Sequence, residues 1–486
     1  MRRWADLRPR QLDAIDWLLA NPASALWADM GEGKTAISLA VAAEFYMRQR
    51  ILILAPIKVA TQTWPSEIPE WSFSCGFQHT LLRADNDAEI QAEILDCRRL
   101  VRLRGGSAEE AYRLSASYAT SLRQKKRIAM ARDDAPIHII NHEAAEWLLR
   151  VHGPGGWPYE IVFIDESSYY KDHTVKRFKA LFHARSKIKR LHQLTASPAP
   201  EGYMGLFTQA LLMDEGRAFG RKITHFRRTY FDYDPFSQKY EMKPGADRHI
   251  EEAIAPLVRI QKTDRPETTR VMSRAFDLTA DEQERYDEME KESIITLFNG
   301  EQITADSTSA ANMKLVQLAS GATYDKNGKT HFFHSHKFEI LAELLVEAQG
   351  SPMLIAYWFK STLQELKRRH PDAIVMDKAG SQVDAWNRGE IPKLLVQPRS
   401  TSHGLNMQHG PGHTLTYFDN PWPLDPYQQL IGRLDRSGQR NTVNVYHITA
   451  RGTIDETIVR SLRRKQHVER TLFKRLQDIH RRVRNG

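Results

Sequence analysis

Short apolar runs recur along this chain: ILILA from Ile51, IHII from Ile137, IVFI from Ile161 and LHQLT from Leu191, then MLIA from Met353, AIVM from Ala373, LLV from Leu394, LTYF from Leu415 and VNVYHI from Val443. Successive side chains of a strand point to opposite faces, so a run apolar at every position must be buried on both. That condition is met in a parallel sheet covered by crossover helices, and stretches of helical period such as TAISLAVAAEFYMR from Thr35 lie between the runs. The expected class is therefore α/β. The runs fall into two groups, and the stretch from Met213 to Asp264 lacks them while being rich in charged and aromatic residues, as in RRTYFDYD. A chain of 486 residues is also too long for one ordinary core. The expected organisation is a first lobe over residues 1–212, a connection over 213–270, a second lobe over 271–458 and a tail over 459–486. Asp281 to Asn312 reads as helix plus polar loop.

The tail concentrates the charge. From Arg460 onward ten Lys and Arg stand against Glu469 and Asp478, accounting for nearly all of the net charge of +9. Val468, Leu472, Leu476, Ile479 and Val483 follow three-to-four-residue spacing, which predicts an amphipathic helix with a basic outer face. Such a face suits either solvent or phosphates. Cys75 and Cys97 have no metal or CxxC spacing, which fits a reducing compartment. Asp13 and Asp16 interrupt the N-terminal apolar stretch, and no run approaches membrane-spanning length, so a soluble cytoplasmic protein without a membrane partner is expected.

Three motifs carry chemistry. ADMGEGKT, from Ala28 to Thr35, is a phosphate loop: Gly31 and Gly33 let the backbone turn so that N–H groups face phosphate oxygens at a helix start. Met30 and Glu32 complete the loop, Lys34 reaches the phosphates, and Thr35 holds Mg²⁺. ATP and Mg²⁺ are the cofactors this implies, although Ala28 replaces the usual first glycine. Asp165 and Glu166 follow the run IVFI, at the carboxyl end of a predicted strand, where α/β folds bind ligands. Asp165 is then a Mg²⁺ ligand and Glu166 the group that deprotonates the attacking water. QLIGRLDRSGQ, from Gln429 to Gln439, adds Arg433 and Arg436, whose planar, permanently charged forks suit the charge developing on a transferring phosphoryl group. Their distance along the chain from Lys34 suggests one ATP site split between two domains.

ADMGEGKT, IDES and QLIGRLDRSGQ resemble motifs I, II and VI of superfamily 2 helicases, and further segments resemble the Snf2-like branch. LRPRQLDAIDWLL is similar to its opening motif, APIKVATQTWPSEIPEW to motif Ia, INHEAAEWL to a backbone-tracking segment, LTASP to LTGTP, MLIAYWF to motif IV and STSHGLNMQ to motif V. YFDNPWPLDPYQQLIGRLDRSGQ running into VNVYHITARGTIDETI resembles the end of the family's second lobe. The resemblance covers most of the chain from Leu7 to about Ile458. It implies two RecA-like lobes and an ATP-driven motor on nucleic acid, with double-stranded DNA as the expected track. Gln11 becomes the candidate adenine reader, Gln429 a further nucleotide contact, and Lys58, Asn141, Ser400, Ser402 and Asn406 the candidates for nucleic acid. A strand-separating DNA or RNA helicase and a non-motor ATP switch or loader are the alternatives. The chain departs from the family at Ala196 and Ser197 of motif III, at Ser167 and Ser168 after motif II, and in lacking a glycine pair before Gly404. Its compactness suits a bacterial or phage protein. His331, His334 and His336 are not read as a metal site, and Tyr357, Trp358 and Phe359 are read as core.

Overall fold

The computed structural model describes the chain except residues 85–86, 154, 236–238, 263–268, 299–304, 325–328, 378, 402–404, 421–422, 437 and 486; side chains at 292–298, 305–311, 400–401 and 484–485 are also outside the described set. Two compact units result, one of Met1–Thr263 with Leu472–Gly486 and one of Asp264–Thr471.

In the first unit the strands are β1 (Ala23–Ala28), β2 (Ile51–Ala55), β3 (His79–Leu81), β4 (Ile137–Asn141), β5 (Ile161–Asp165), β6 (Arg190–Thr195), β7 (Phe231–Asp234), β8 (Lys239–Met242) and β9 (Val258–Gln261). Seven form a parallel sheet in the order β3-β4-β2-β5-β6-β1-β9, while β7 and β8 make a separate antiparallel hairpin. The apolar runs occupy its centre: every residue of β2 and β5 is buried. Leu26, Ile37, Leu39, Ile53, Trp64 and Phe163 join one core beneath the sheet.

The second unit contains β10 (Thr269–Phe276), β11 (Ala322–Tyr324), β12 (Thr330–Phe332), β13 (Met353–Ala356), β14 (Ile374–Val375), β15 (Lys393–Val396), β16 (Thr414–Tyr417) and β17 (Val443–Ala450). Its main sheet is also parallel, ordered β10-β17-β16-β13-β15-β14, with β11 and β12 as a small antiparallel pair. Both units are thus α/β with a parallel main sheet, the architecture expected of RecA-like lobes. Inside the second, Lys337 and Asp455 form a fully buried ion pair at 2.7 Å, and Lys337 also donates to the carbonyl of Phe418. Asp419 accepts from the backbone N–H groups of Trp358 and Phe359. These bonds satisfy charges that burial would otherwise penalise, and they fix the turn after β13.

The stretch from Met213 to Asp264, expected to lack strands, holds β7, β8 and β9. Strand β9 reads VRIQ and lies at the sheet edge, where Arg259 remains partly accessible, so it never needed an all-apolar run. The same reason hid β10, TRVMSRAF, at the edge of the second sheet. The described residues of the region Asp281–Asn312 lie in two helices, Ala280–Phe298 and Ala305–Ala319; the residues between them, where the expected polar loop falls, are outside the described set.

The last helix, Ile454–Asn485, includes the basic tail as far as Asn485. Leu472 and Leu476 are fully buried, and Phe473 meets the Trp27 ring edge-on at 5.9 Å. Arg475 pairs with Asp247 and Glu251, and Nε2 of His480 lies 2.9 Å from the carbonyl of Ala255. Val483 was expected in the apolar stripe but is 78% exposed, because this packing ends about one turn earlier. Removing a buried leucine here costs about 2–5 kcal/mol, whereas changing exposed Arg481 or Arg482 costs about 0.5 or less. Packing and surface charge are thus separable. No described helix is long and apolar enough to cross a membrane.

Candidate nucleotide and nucleic-acid site

The carboxyl edge of the first sheet gathers most of the candidates. Reading across it, Asn141 ends β4, Lys58 follows β2, Asp165 ends β5 with Glu166 just after it, Thr195 ends β6, and the phosphate loop follows β1. Parallel strands produce this convergence because all of them finish on the same side.

The loop takes its shape from two glycines at φ 82°, Gly31 and Gly33, a region that disfavours other residues. Gly33 is needed for a second reason. A Cβ there would lie 2.2 Å from Nε2 of Gln11. The Gln11 side chain donates to the carbonyl of Glu32 at 3.1 Å and accepts from the Arg8 N–H at 2.8 Å, so it caps the helix Pro9–Ala20 while bracing the loop. One amide hydrogen and one lone-pair direction remain for a base. Arg8 and Arg10 each reach the buried Glu32 carboxylate at 3.5 Å, and Gln261 donates to it at 3.2 Å. Met30 lies in the turn itself, partly buried. Lys34 opens the helix Lys34–Ala43, with its ammonium held by the carbonyls of Ala28 at 2.9 Å and Asp29 at 3.3 Å. Thr35 is the next residue of that helix, partly exposed.

Asp165 is buried and accepts a hydrogen bond from Nε1 of Trp64 at 3.0 Å. Burial, followed by the adjacent Glu166 charge, pushes the Asp165 carboxyl above its ordinary range, against the opposing pull of Lys34 and Trp64. A hydroxyl and a carboxylate are hard oxygen donors of the kind Mg²⁺ takes, and Asp165 in this crowded anionic setting favours a cation nearby. Thr35 and Asp165 therefore fit Mg²⁺, with the phosphates of a nucleotide supplying further oxygens.

Glu166 has φ 59° and ψ 63°, the left-handed region that costs a residue with a side chain about 1–3 kcal/mol. Its carboxylate accepts from the Thr195 hydroxyl at 3.4 Å, and Thr195 in turn accepts from the Ser197 N–H at 3.0 Å. Ser167 donates to the Gln209 side chain at 2.9 Å, and Gln209 donates to the carbonyl of Pro198 at 2.7 Å. The unusual Ser167, through its hydroxyl, and Ser197, through its backbone N–H, thus join the array of bonds around the carboxylates. Trp64, Thr195 and Gln209 had no site role in the sequence reading. Trp64 and Thr195 had a signal, as parts of the segments similar to motif Ia and to LTGTP, whereas Gln209 had none.

Removing the indole N–H with Trp64→Phe should raise the Asp165 carboxyl further, since that hydrogen bond favours its charged form. The expected result is an alkaline shift of the acidic limb of ATPase activity and a higher Mg²⁺ concentration for half-maximal rate. Identical pH and Mg²⁺ profiles would show that Asp165 does not depend on Trp64.

In the second lobe Gln429 and Arg433 lie one turn apart on the helix Leu424–Leu434, both buried. Arg433 donates to the carbonyl of Leu405 at 3.2 Å. Arg436, beyond the helix and less buried, donates to the side-chain oxygen of Asn406 at 2.5 Å, which brings two segments 30 residues apart together. Asn406 also accepts at its backbone carbonyl from Asn387 at 2.8 Å. Ser400 lies in the short helix Pro398–Thr401 after β15, and Ser402 is outside the described residues. In the first lobe Lys58 is partly buried, and Asn141 donates to Glu143 at 2.9 Å.

No protein-family model matches the chain. Protein p41 of Acyrthosiphon pisum secondary endosymbiont phage 1 is 30% identical over 97% of this chain and 98% of its own length. The Arabidopsis thaliana CHD3-type chromatin-remodeling factor PICKLE aligns with 97% of the chain at 22% identity. The chain resembles the Snf2-like branch of superfamily 2 along nearly its whole length, and it is an ATP hydrolase of the helicase type. This Snf2-like chain spans about a third of PICKLE's length, 34%. A solved Sulfolobus solfataricus SWI2/SNF2 ATPase core in complex with dsDNA covers 96% of the Snf2-like chain and 92% of its own, at 17% identity and a TM-score of 0.41.

Proposed function

We propose that this chain is an ATP-driven motor that moves along double-stranded DNA without needing to separate its strands. The observation that supports this best is the single carboxyl edge of the first sheet, where the phosphate loop and the Asp165–Glu166 pair share a border with Lys58 and Asn141. A shift in the nucleotide site is then transmitted through adjacent strand ends to a surface that holds phosphates. Lys34 holds the β and γ phosphates, Thr35 and Asp165 hold Mg²⁺, Glu166 takes the proton of the attacking water, and Arg433 and Arg436 stabilise the charge that develops. Gln11 and Gln429 help to hold the nucleotide. Lys58, Asn141, Ser400, Ser402 and Asn406 contact the backbone rather than base edges, as sequence-tolerant movement requires. The cytoplasm of a bacterial or phage-infected cell is the matching location.

Displacement of a third strand from a DNA triplex tests the reading. ATP-dependent release of the third strand, with the underlying duplex intact, is the expected result. Duplex unwinding would make the protein a helicase, and DNA-stimulated hydrolysis without displacement would make it a switch.

A further inference from the structure

The segment that follows the first lobe's central strands builds a surface unrelated to the motif residues. Phe226 of the helix Ile223–Tyr230 is fully buried among Phe207, Phe219, Tyr230 and Phe231, at ring distances of 5.0–5.6 Å. This aromatic core anchors both the helix and the hairpin. On the outer side of the helix, Gly220, Arg221, Lys222, Thr224, His225 and Arg228 line an open cleft of about 550 Å³. Its charged lining is wholly basic.

The β7–β8 hairpin is divided by face. Register pairs Phe231 with Met242 and Tyr233 with Tyr240, so these share one face, while Asp232, Asp234, Lys239 and Glu241 alternate onto the other. Tyr233 and Tyr240 are 52% and 41% exposed, with ring centroids 5.1 Å apart, and the Arg227 guanidinium sits 4.8 Å above Tyr240. Three acidic side chains are thereby kept off the aromatic face, which carries an arginine instead. Large exposed rings are costly to leave in water, and a cation beside them favours an anionic ligand with a flat apolar part. A nucleotide has both.

We infer that the basic cleft and the tyrosine face form a second nucleic-acid contact that takes a single DNA strand, with phosphates at Arg221, Lys222, His225 and Arg228 and a base against Tyr233 and Tyr240. Stacking selects the single strand, because the faces of paired bases are already covered by their neighbours. The inference deepens the reading of this chain as a DNA motor and rests on it. The contact would hold unpaired DNA next to a duplex while the strand-end residues grip the duplex itself.

The test uses the full chain without nucleotide and measures binding of fluorescent dT20 and of a 20-base-pair duplex across a salt series. In one variant Tyr233 and Tyr240 become Ala; in another Arg221, Lys222 and Arg228 become Gln. All five residues are exposed, and thermal unfolding verifies that both variants fold. The tyrosine variant should lose about tenfold in dT20 affinity at an unchanged salt slope, with duplex binding intact. The basic variant should lose about 0.7 in the slope of log affinity against log salt for each phosphate contact removed from single strands. Failure of the intact chain to bind dT20, unchanged dT20 binding in both variants, or equal loss on dT20 and duplex would each overturn the inference. Failure of the motor reading is seen separately, as absence of third-strand displacement by the intact chain.

Discussion

Glu166→Gln should leave ATP binding intact and nearly abolish hydrolysis. Glutamine keeps the shape, accepts from Thr195 and adopts the same left-handed backbone, so the array beneath it stays in place. What it loses is the ability to take a proton, a function that contributes about 10²–10⁴ in rate. Lys34→Ala should behave differently, weakening ATP binding as well, because in the proposed site the lysine contacts phosphates before the chemical step. Nucleotide affinity and single-turnover hydrolysis measured together separate the two variants. Normal turnover by Glu166→Gln would remove it from the proposed chemistry.

Arg433→Ala should lower hydrolysis by about 10³–10⁵ while changing ATP affinity little, if its charge acts mainly in the transition state. Arg433 is only 8% exposed and bonded to the Leu405 carbonyl, so the loss has to be distinguished from a disturbed turn. Arg433→Lys keeps the charge without the fork and should recover part of the rate only if charge on the phosphoryl group is what matters. Arg436 softens the loss if it shares the task, and the double variant then falls further. Unchanged DNA-stimulated ATPase in Arg433→Ala would mean that the motif around it has been misread.

The two parallel sheets were legible because their central strands are apolar at every position, a pattern that burial on both faces imposes. Strands β9 and β10 were not, since edge positions tolerate Arg259, Arg270 and Arg274. Much the same division holds around the nucleotide. Gly31, Gly33 and Lys34 are local in sequence, so their spacing exposes them. The Trp64–Asp165 and Ser167–Gln209 bonds span 101 and 42 residues and leave no local trace. The left-handed Glu166 was hidden for another reason: glutamate carries no general preference for that conformation, and only the surrounding bonds hold it there. The hairpin tyrosines stood in a stretch read as a connection, and their shared face became visible only from the pairing register.

Strand β1 finds its neighbours β6 and β9 more than 160 residues later, and Trp27 on β1 is covered by Phe473 from the closing helix. During synthesis the first lobe is therefore the earliest part to leave the ribosome and among the last to be finished. Its sheet waits for residue 261 and its final side-chain cover for the residues after Leu472, made only when the entire second lobe has been translated. Until then the nascent chain carries an incomplete apolar surface, the condition in which long-range parallel pairing is most open to aggregation.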